Sequence, residues 1–374
     1  MPKSDSAKIR MYEHSKAKVE LYGKYLSIYL NVLERVPYVR RIYLYDLFAG
    51  EGEYGEGEFG SPVISLNCIK NHYFSNGKSC KDIRIMFNDF GYSEIEPQKL
   101  KIDRIKEVTA GIFKPTNIEI TFSNEEYNRL LPKVISDLEN LRDDERALLF
   151  IDPWGYKDIR PQELKEIFKS NRIEIILFLP ISFMYRFSEK ALFDDFPAGK
   201  SLEMFLVELF QAGIPNTSNQ MQFIIDIRDK FKEYLGSKYI ATFTIQRDKA
   251  NIFCLYFFTR NKIGFHKMIE AKWVVDKERG KGFKLNQNLP LFSEVEIEDY
   301  LGIVKDFIFC STGKTNHDLL DFGYENEFLP KHTTDVLNKL FQKELIRRIT
   351  LDGKEVKGFY LTDKKRNILV MRKE

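Results

Sequence analysis

The chain has 374 residues, is 43% hydrophobic and 14% aromatic, and carries a formal net charge of only +3 although 30% of its residues are charged. That length suits one large domain with one or two smaller ones and a sizeable core, and the near-neutral balance excludes a nucleic-acid binder working by bulk positive charge, though not one with a local basic face. Cys68, Cys80, Cys254 and Cys310 show no CxxC spacing and the histidines are scattered, which argues against a metal site or a disulfide framework. The first residues, Met-Pro-Lys-Ser-Asp-Ser-Ala-Lys, contain no apolar signal segment, and no stretch approaches the roughly 20 apolar residues of a membrane span; the expectation is a soluble, cytoplasmic protein with no membrane partner.

Val19, Tyr22, Tyr25, Leu26, Tyr29, Leu30 and Leu33 recur at three- and four-residue intervals and predict an amphipathic helix over 15–36, ended by Pro37. A β-favouring run at 41–47 follows. It enters Asp46-Leu47-Phe48-Ala49-Gly50-Glu51-Gly52, a strand end and tight loop where backbone can approach a ligand closely. Residues 63–70 read as a helix with Ser61 as cap and Pro62 in its first turn. Then come a strand over 82–89 ending on an acid, a charged helix over 94–107, a strand over 116–122, and a helix over 125–141 containing Pro132. A fully apolar strand spans 147–151, as expected in a sheet covered on both faces. A helix over 161–169 and a strand over 173–179 complete the alternation.

Further on, 202–211 and 220–235 read as helices, 239–246 and 251–259 as a hairpin at the antiparallel edge of the sheet, and 265–273 as a helix. A polar stretch around 277–288 predicts a linker. Helices at 295–309, 316–320 and 331–343, then strand-like runs at 345–349 and 358–361 around Asp352-Gly353, have the layout of a winged helix.

Strand and helix alternating over 40–180 predicts an α/β fold: a doubly wound, mostly parallel sheet of Rossmann-like methyltransferase type with a C-terminal winged-helix module. The expected organisation is a helical segment at 1–38 packing on the core, a methyltransferase-like domain at 39–276 and the winged-helix-like module at 277–374. Ligands of such sheets bind past the carboxyl ends of the strands, which puts Asp46, Asp89 and Asp152 on one rim.

These residues suit S-adenosylmethionine. Gly50 and Gly52 let amides reach its methionine part, Asp46 meets its ammonium group, and Asp89 accepts both ribose hydroxyls. Phe48, Ala49, Ser61 and Pro62 continue the same loop and helix start. Ser123 and Asn124 either face the adenine or cap the next helix. Taken alone, the loop also fits a structural turn, and it lacks the third glycine of a dinucleotide fingerprint. At Asp152-Pro153-Trp154-Gly155, an acid and a proline-fixed carbonyl can accept the hydrogens of an exocyclic amine while an aromatic ring stacks on a flipped base; the plainer reading is a strand-end turn with a buried Trp. Lys16, Lys18, Arg40, Arg41, Arg186, Arg247 and Lys249 are candidates for phosphate contact or are solvated surface. In the C-terminal module Lys339 and Lys343, with Arg347 and Arg348, make a basic helix suited to nucleic acid or to a protein partner.

Together, the helix with His14-Ser15-Lys16, the Asp46–Gly52 loop, Gly60-Ser61-Pro62, Phe150-Ile151-Asp152-Pro153-Trp154-Gly155, Leu177-Phe178-Leu179-Pro180, Arg186 and Gly264-Phe265-His266-Lys267-Met268 resemble the three-Cys-motif partner protein family, TcmP, over most of residues 10–275. The resemblance implies a class I S-adenosylmethionine-dependent methyltransferase fold and a separate partner protein bearing the cysteine motif. The Asp-Pro-Trp-Gly loop departs from the Asp-Pro-Pro-Tyr of many adenine-N6 enzymes and is more similar to the Asp-Pro-Phe-Gly of tRNA guanine-N2 dimethyltransferases. The expected function is methyl transfer to an exocyclic amine of a nucleic-acid base. The alternative is a catalytically silent protein of the same fold that delivers a second protein to nucleic acid through its winged-helix module. A dinucleotide oxidoreductase is disfavoured because Asp-Pro-Trp-Gly has no role in hydride transfer.

Overall fold

Helix α1 (Glu13–Glu34) carries the predicted apolar stripe, and Leu21, Tyr22, Tyr25, Leu26, Tyr29, Leu30 and Leu33 are all buried along it. The computed structural model to which it belongs describes residues 11, 13–77, 79, 81–153, 159–187, 197–211, 213–215, 217, 219–248, 251–276, 282–284, 295–356, 358–359, 361–362 and 368–373. Cys80, Trp154, Gly155 and Lys249, and the side chains of His14 and Arg247, lie outside the described residues. The chain divides into two compact units, Met1–Asn286 and Gln287–Glu374.

In the first unit β1 (Arg41–Asp46) is followed by a small ribbon of β2 (Glu53–Tyr54) and β3 (Glu58–Phe59), then α2 (Ser61–Ser75), β4 (Asp82–Asn88), α3 (Lys101–Ala110), β5 (Ile118–Ser123), α4 (Tyr127–Glu139), β6 (Glu145–Ile151), α5 (Pro161–Ile167) and β7 (Ile173–Leu179). After these come α6 (Ile181–Phe187), α7 (Pro197–Phe210), α8 (Gln220–Leu235), the β8 (Tyr239–Asp248) and β9 (Asn251–Thr259) hairpin, α9 (Lys262–Val275) and β10 (Gly282–Lys284). The sheet order is β10-β8-β9-β7-β6-β1-β4-β5. β1 pairs parallel with β4 and β6, and β9 runs antiparallel to both β7 and β8. Without β10, this is the seven-stranded order of the class I methyltransferase Rossmann-like fold. β6 and β7 lie inside the sheet and bury every residue but one, which is why their sequences read as unbroken apolar runs.

Several expectations need correction. The β8–β9 hairpin extends the sheet antiparallel beside β7, as expected, but β10 adds a parallel strand outside β8, within the stretch expected to be linker. α2 is capped by Gly60, with no side-chain cap from Ser61. The helix expected from residue 94 begins only at Lys101, because the preceding turn is folded onto the glycine loop. There Glu51 takes the Ser93 hydroxyl and the Glu94 amide, each at 2.7 Å.

The second unit contains α10 (Val295–Phe309), β11 (Lys314–Thr315), α11 (Asn316–Glu325), α12 (Pro330–Gln342), β12 (Ile346–Thr350) and β13 (Ile368–Arg372), with an antiparallel sheet in the order β11-β13-β12. The return strand is Ile368–Arg372 rather than 358–361. The stacked pair Tyr300–Phe328 (3.7 Å between centroids) is buried in its interior, and Phe307 stacks on Phe322 (3.9 Å), both half-buried. Among the described residues no helix is long and apolar enough to cross a membrane, and no cluster of three His, Cys, Asp or Glu could hold a metal ion.

One buried acid constrains how α1 and α9 close over the sheet. Glu174 on β7 accepts the Tyr25 hydroxyl at 2.5 Å and the Thr259 hydroxyl at 2.8 Å, and burial pushes its carboxyl up to about 7. Gly264 sits directly against it, and a Cβ there would overlap the carboxylate. Gly264→Ala is therefore expected to cost about 2 kcal/mol by overpacking, read as a lower urea midpoint with an unchanged slope.

Candidate functional site

Register brings three acids to one rim. Asp46 ends β1, facing Phe87 of β4 on one side and Phe150 of β6 on the other. Asp89 and Asp152 each follow two residues later, so both emerge beside it just past their strands. Asn88 locks these strand ends together. Its Nδ2 donates to the carbonyls of Leu47 and Glu125, each at 3.1 Å, and its Oδ1 accepts the Glu125 amide at 3.1 Å. The Ala49 amide donates to the Asn88 carbonyl at 2.8 Å, tying the glycine loop to the same residue.

Gly50 and Gly52 take left-handed backbone, with φ of 69° and 78°. Both are also crowded: a Cβ on Gly52 would lie 2.9 Å from Val108 Cγ2, and one on Gly50 would lie 2.9 Å from the Tyr54 hydroxyl. The loop closes where the Gly60 amide donates to the Gly52 carbonyl at 2.7 Å, across the β2–β3 ribbon.

The acids differ in how they are satisfied. Asp46 is 1% exposed, and neither carboxylate oxygen has a partner at hydrogen-bond geometry. Burial pushes its carboxyl up to about 8; the Ser61 hydroxyl and the Phe48 amide oppose the shift, and the charges of Asp152 and Asp89 add to it. Asp89 accepts the Gly50 amide at 2.7 Å and the Lys101 ammonium at 2.9 Å, which restrain an upward shift caused by burial. Glu51 holds the Ser93–Glu94 turn, while Arg104 donates to the carbonyls of Glu51 and Glu53 at 2.6 and 2.5 Å. Asp152 pairs with Lys18 of α1, Nζ to Oδ2 2.5 Å. The Tyr54 phenol is raised by burial, opposed by the Glu51 amide and reinforced by the charges of Asp152, Glu51 and Asp89.

Of the other residues singled out by sequence, Phe48 stacks on Tyr127 at 5.2 Å, and Ala49, Ser61, Pro62 and Pro153 are buried along the rim. Asn124 accepts the Gly91 amide at 3.0 Å and Ser123 donates to Glu125 at 3.4 Å; neither caps α4, whose N-cap Glu126 has no side-chain bond. Arg186 is exposed on the last turn of α6, with Nε on the Ser182 carbonyl at 3.1 Å. Arg40 and Arg41 lie at the opposite end of β1 from Asp46, with Arg41 bonded to Asp82 and Glu145, so they face the wrong rim for this site. In the second unit Lys339 and Lys343 are exposed, whereas Arg348 is buried between the rings of Phe341 and Phe359, 4.1 and 3.7 Å from their centroids. Sequence reasoning did not assign Lys18 to Asp152, and it missed Lys101, Tyr54 and Asn88; the signal for Asn88 was a polar residue following the apolar run Ile85-Met86-Phe87.

No protein-family model matches the chain, and no curated protein matches it. Solved structures with similar folds include the O-methyltransferase TomG from Streptomyces achromogenes in complex with SAM (13% identity, 68% of this chain and 93% of that one, TM-score 0.31). Others are SCL7 from Oryza sativa (11%, 65% and 83%, TM-score 0.29) and loganic acid methyltransferase with SAH (10%, 100% and 98%, TM-score 0.28). Similarities this low carry no statement about what this chain binds.

The raised carboxyl of Asp46 has a measurable sign. Between its ordinary value of 3.8 and about 8 the folded chain holds a proton that the unfolded chain has lost. Stability therefore falls as pH rises across that window, by up to ~1.4 kcal/mol per pH unit, and levels off above it. Asp46→Asn removes this contribution, so the difference between the melting curves of variant and parent should widen in the variant's favour from about pH 4 to about pH 8.

Proposed function

We propose that this chain is an S-adenosylmethionine-dependent methyltransferase acting on an exocyclic amine of a nucleic-acid base. The observation that carries the reading is the orphaned, buried Asp46 carboxylate beside two glycines that only a left-handed, side-chain-free backbone can fill. An unpartnered acid fits the ammonium group of the methionine part, and amides at Gly50 and Gly52 fit its carboxylate. Asp89 fits the ribose hydroxyls, provided that Lys101 yields its place. When bound, the cofactor supplies an electrophilic methyl group on a sulfonium.

The remaining work falls to the chain. Asp152 and the Pro153 carbonyl accept the hydrogens of the acceptor amine and aim its lone pair, and the Asp152 carboxylate takes up the proton it releases. Phe90 and Tyr92, 54% and 65% exposed beside Asp89, offer aromatic faces at the rim. In the second unit the order helix, strand, helix, helix, strand, strand supports reading it as a winged-helix module, and the exposed Lys339 and Lys343 on α12 and its C-cap support contact with phosphates. One observation favours a second reading, a silent partner protein that retains the fold: Asp152 is already paired with a lysine of its own chain.

Calorimetric titration with S-adenosylmethionine, followed by labelled methyl transfer to RNA and DNA, separates the readings. The expected result is binding that strengthens from pH 6 to about pH 8 as Asp46 ionises, with transfer lost by at least ~100-fold in Asp152→Ala while binding persists. Binding without transfer to either nucleic acid supports the silent partner. Absence of binding overturns the assignment of the glycine loop.

A further inference from the structure

Lys18 lies where a lysine is costly to keep. It is 8% exposed, brought over the rim by the first turns of α1, and its charge needs compensation there. Two groups provide it. The Asp152 carboxylate is 2.5 Å from the ammonium, and the Phe178 ring centroid at the end of β7 is 4.5 Å away. Phe178 is held in place by stacking on Phe253, 5.3 Å between centroids. A carboxylate and an aromatic face converging on one nitrogen are the two contacts that recognise a primary amine, the first by charge-assisted hydrogen bonding and the second through the ring quadrupole. The carboxylate is the same group that the proposed reaction needs for its acceptor.

Among the described residues, Glu58 ties down the segment that delivers Lys18. Glu58 on β3 accepts the Met11 amide at 2.7 Å and pairs with Lys16 at 2.6 Å. Glu58 faces Tyr54 across the β2–β3 ribbon, and the Tyr54 hydroxyl is the atom lying against Gly50. Seating Lys18 on Asp152 and laying Tyr54 against the glycine loop are thus linked through one ribbon.

We propose that Asp152 and Phe178 form a receptor for a primary ammonium group, that Lys18 fills it in the resting chain, and that a cationic amine ligand enters by displacing Lys18 and releasing the strap. The receptor does not require the cofactor.

The test uses n-butylammonium as probe and n-butanol as its neutral counterpart, with the full-length chain. Lys18→Ala should melt lower than the parent and recover on addition of n-butylammonium. Its calorimetric Kd should be on the order of 1 mM, at least tenfold tighter than for n-butanol, while the parent binds at least tenfold more weakly because the tethered Lys18 competes. Should the alanine variant not fold, Lys18→Met keeps the apolar stem and is read the same way. In the parent, the backbone amides between Met11 and Lys18 should exchange faster with deuterium, as read by peptide mass, when n-butylammonium but not n-butanol is present at saturation. Equal binding of the two probes by the variant, equal affinity of variant and parent, or unchanged amide exchange over Met11 to Lys18 at saturation each overturns the proposal. Calorimetry with S-adenosylmethionine in parallel tells the two failures apart: cofactor binding without amine preference sinks the receptor alone, whereas amine preference without cofactor binding leaves the receptor standing and sinks the methyltransferase reading.

Discussion

Four carboxylates crowd one rim of this sheet, and the surrounding elements are arranged to tolerate them. Asp46, Glu51 and Asp89 are buried, and Asp152 is half-buried beside them. In a medium of low polarity such charges repel one another strongly unless each is matched by a cation or a donor. Three are matched. Asp152 has Lys18 from α1, Asp89 has Lys101 at the start of α3 together with the Gly50 amide, and Glu51 has the hydroxyl and amide of the turn before α3. The chain thus commits parts of two helices and a loop to charge balance at a single edge.

Asp46 is the remainder. With no cation beside it, and only the Ser61 hydroxyl and the Phe48 amide opposing the effect of burial, its carboxyl is raised to about 8, so the rim is one cation short of full ionisation. This gives a physical reason for a cationic ligand group to be favoured there, independent of any likeness to other proteins. A positive group entering beside Asp46 removes both the burial penalty and the repulsion from Asp89 and Asp152. The remaining acids already have their partners.

The parts of this arrangement legible in the sequence were those set by local rules. Unbroken apolar runs gave the interior parallel strands, and acids closing them gave Asp46, Asp89 and Asp152 a common edge. What was not legible depended on contacts distant in sequence. Nothing local to residues 94–100 shows that Glu51, more than forty positions earlier, withholds them from helix α3. Lys18 looked like any other basic residue on an amphipathic helix, because its burial depends on where β6 ends. The addition of β10 is a choice of pairing that alternation cannot encode. In the second unit, strand-like residues at 358–361 drew attention away from the more apolar Ile368-Leu369-Val370-Met371, which supplies the observed strand.

Asn88 has a consequence for how this scaffold can change. One side-chain amide bonds the loop after β1 and the loop after β5 while its own strand leads into the loop after β4. Three connections that would ordinarily vary separately therefore share a fastener. An insertion in one of them shifts the carbonyl or amide that Asn88 must reach, and the others move with it. Loops grafted from another protein of this fold would have to be transplanted as a set of three, whereas the connections after β6 and β7 are free of this fastener among the described residues.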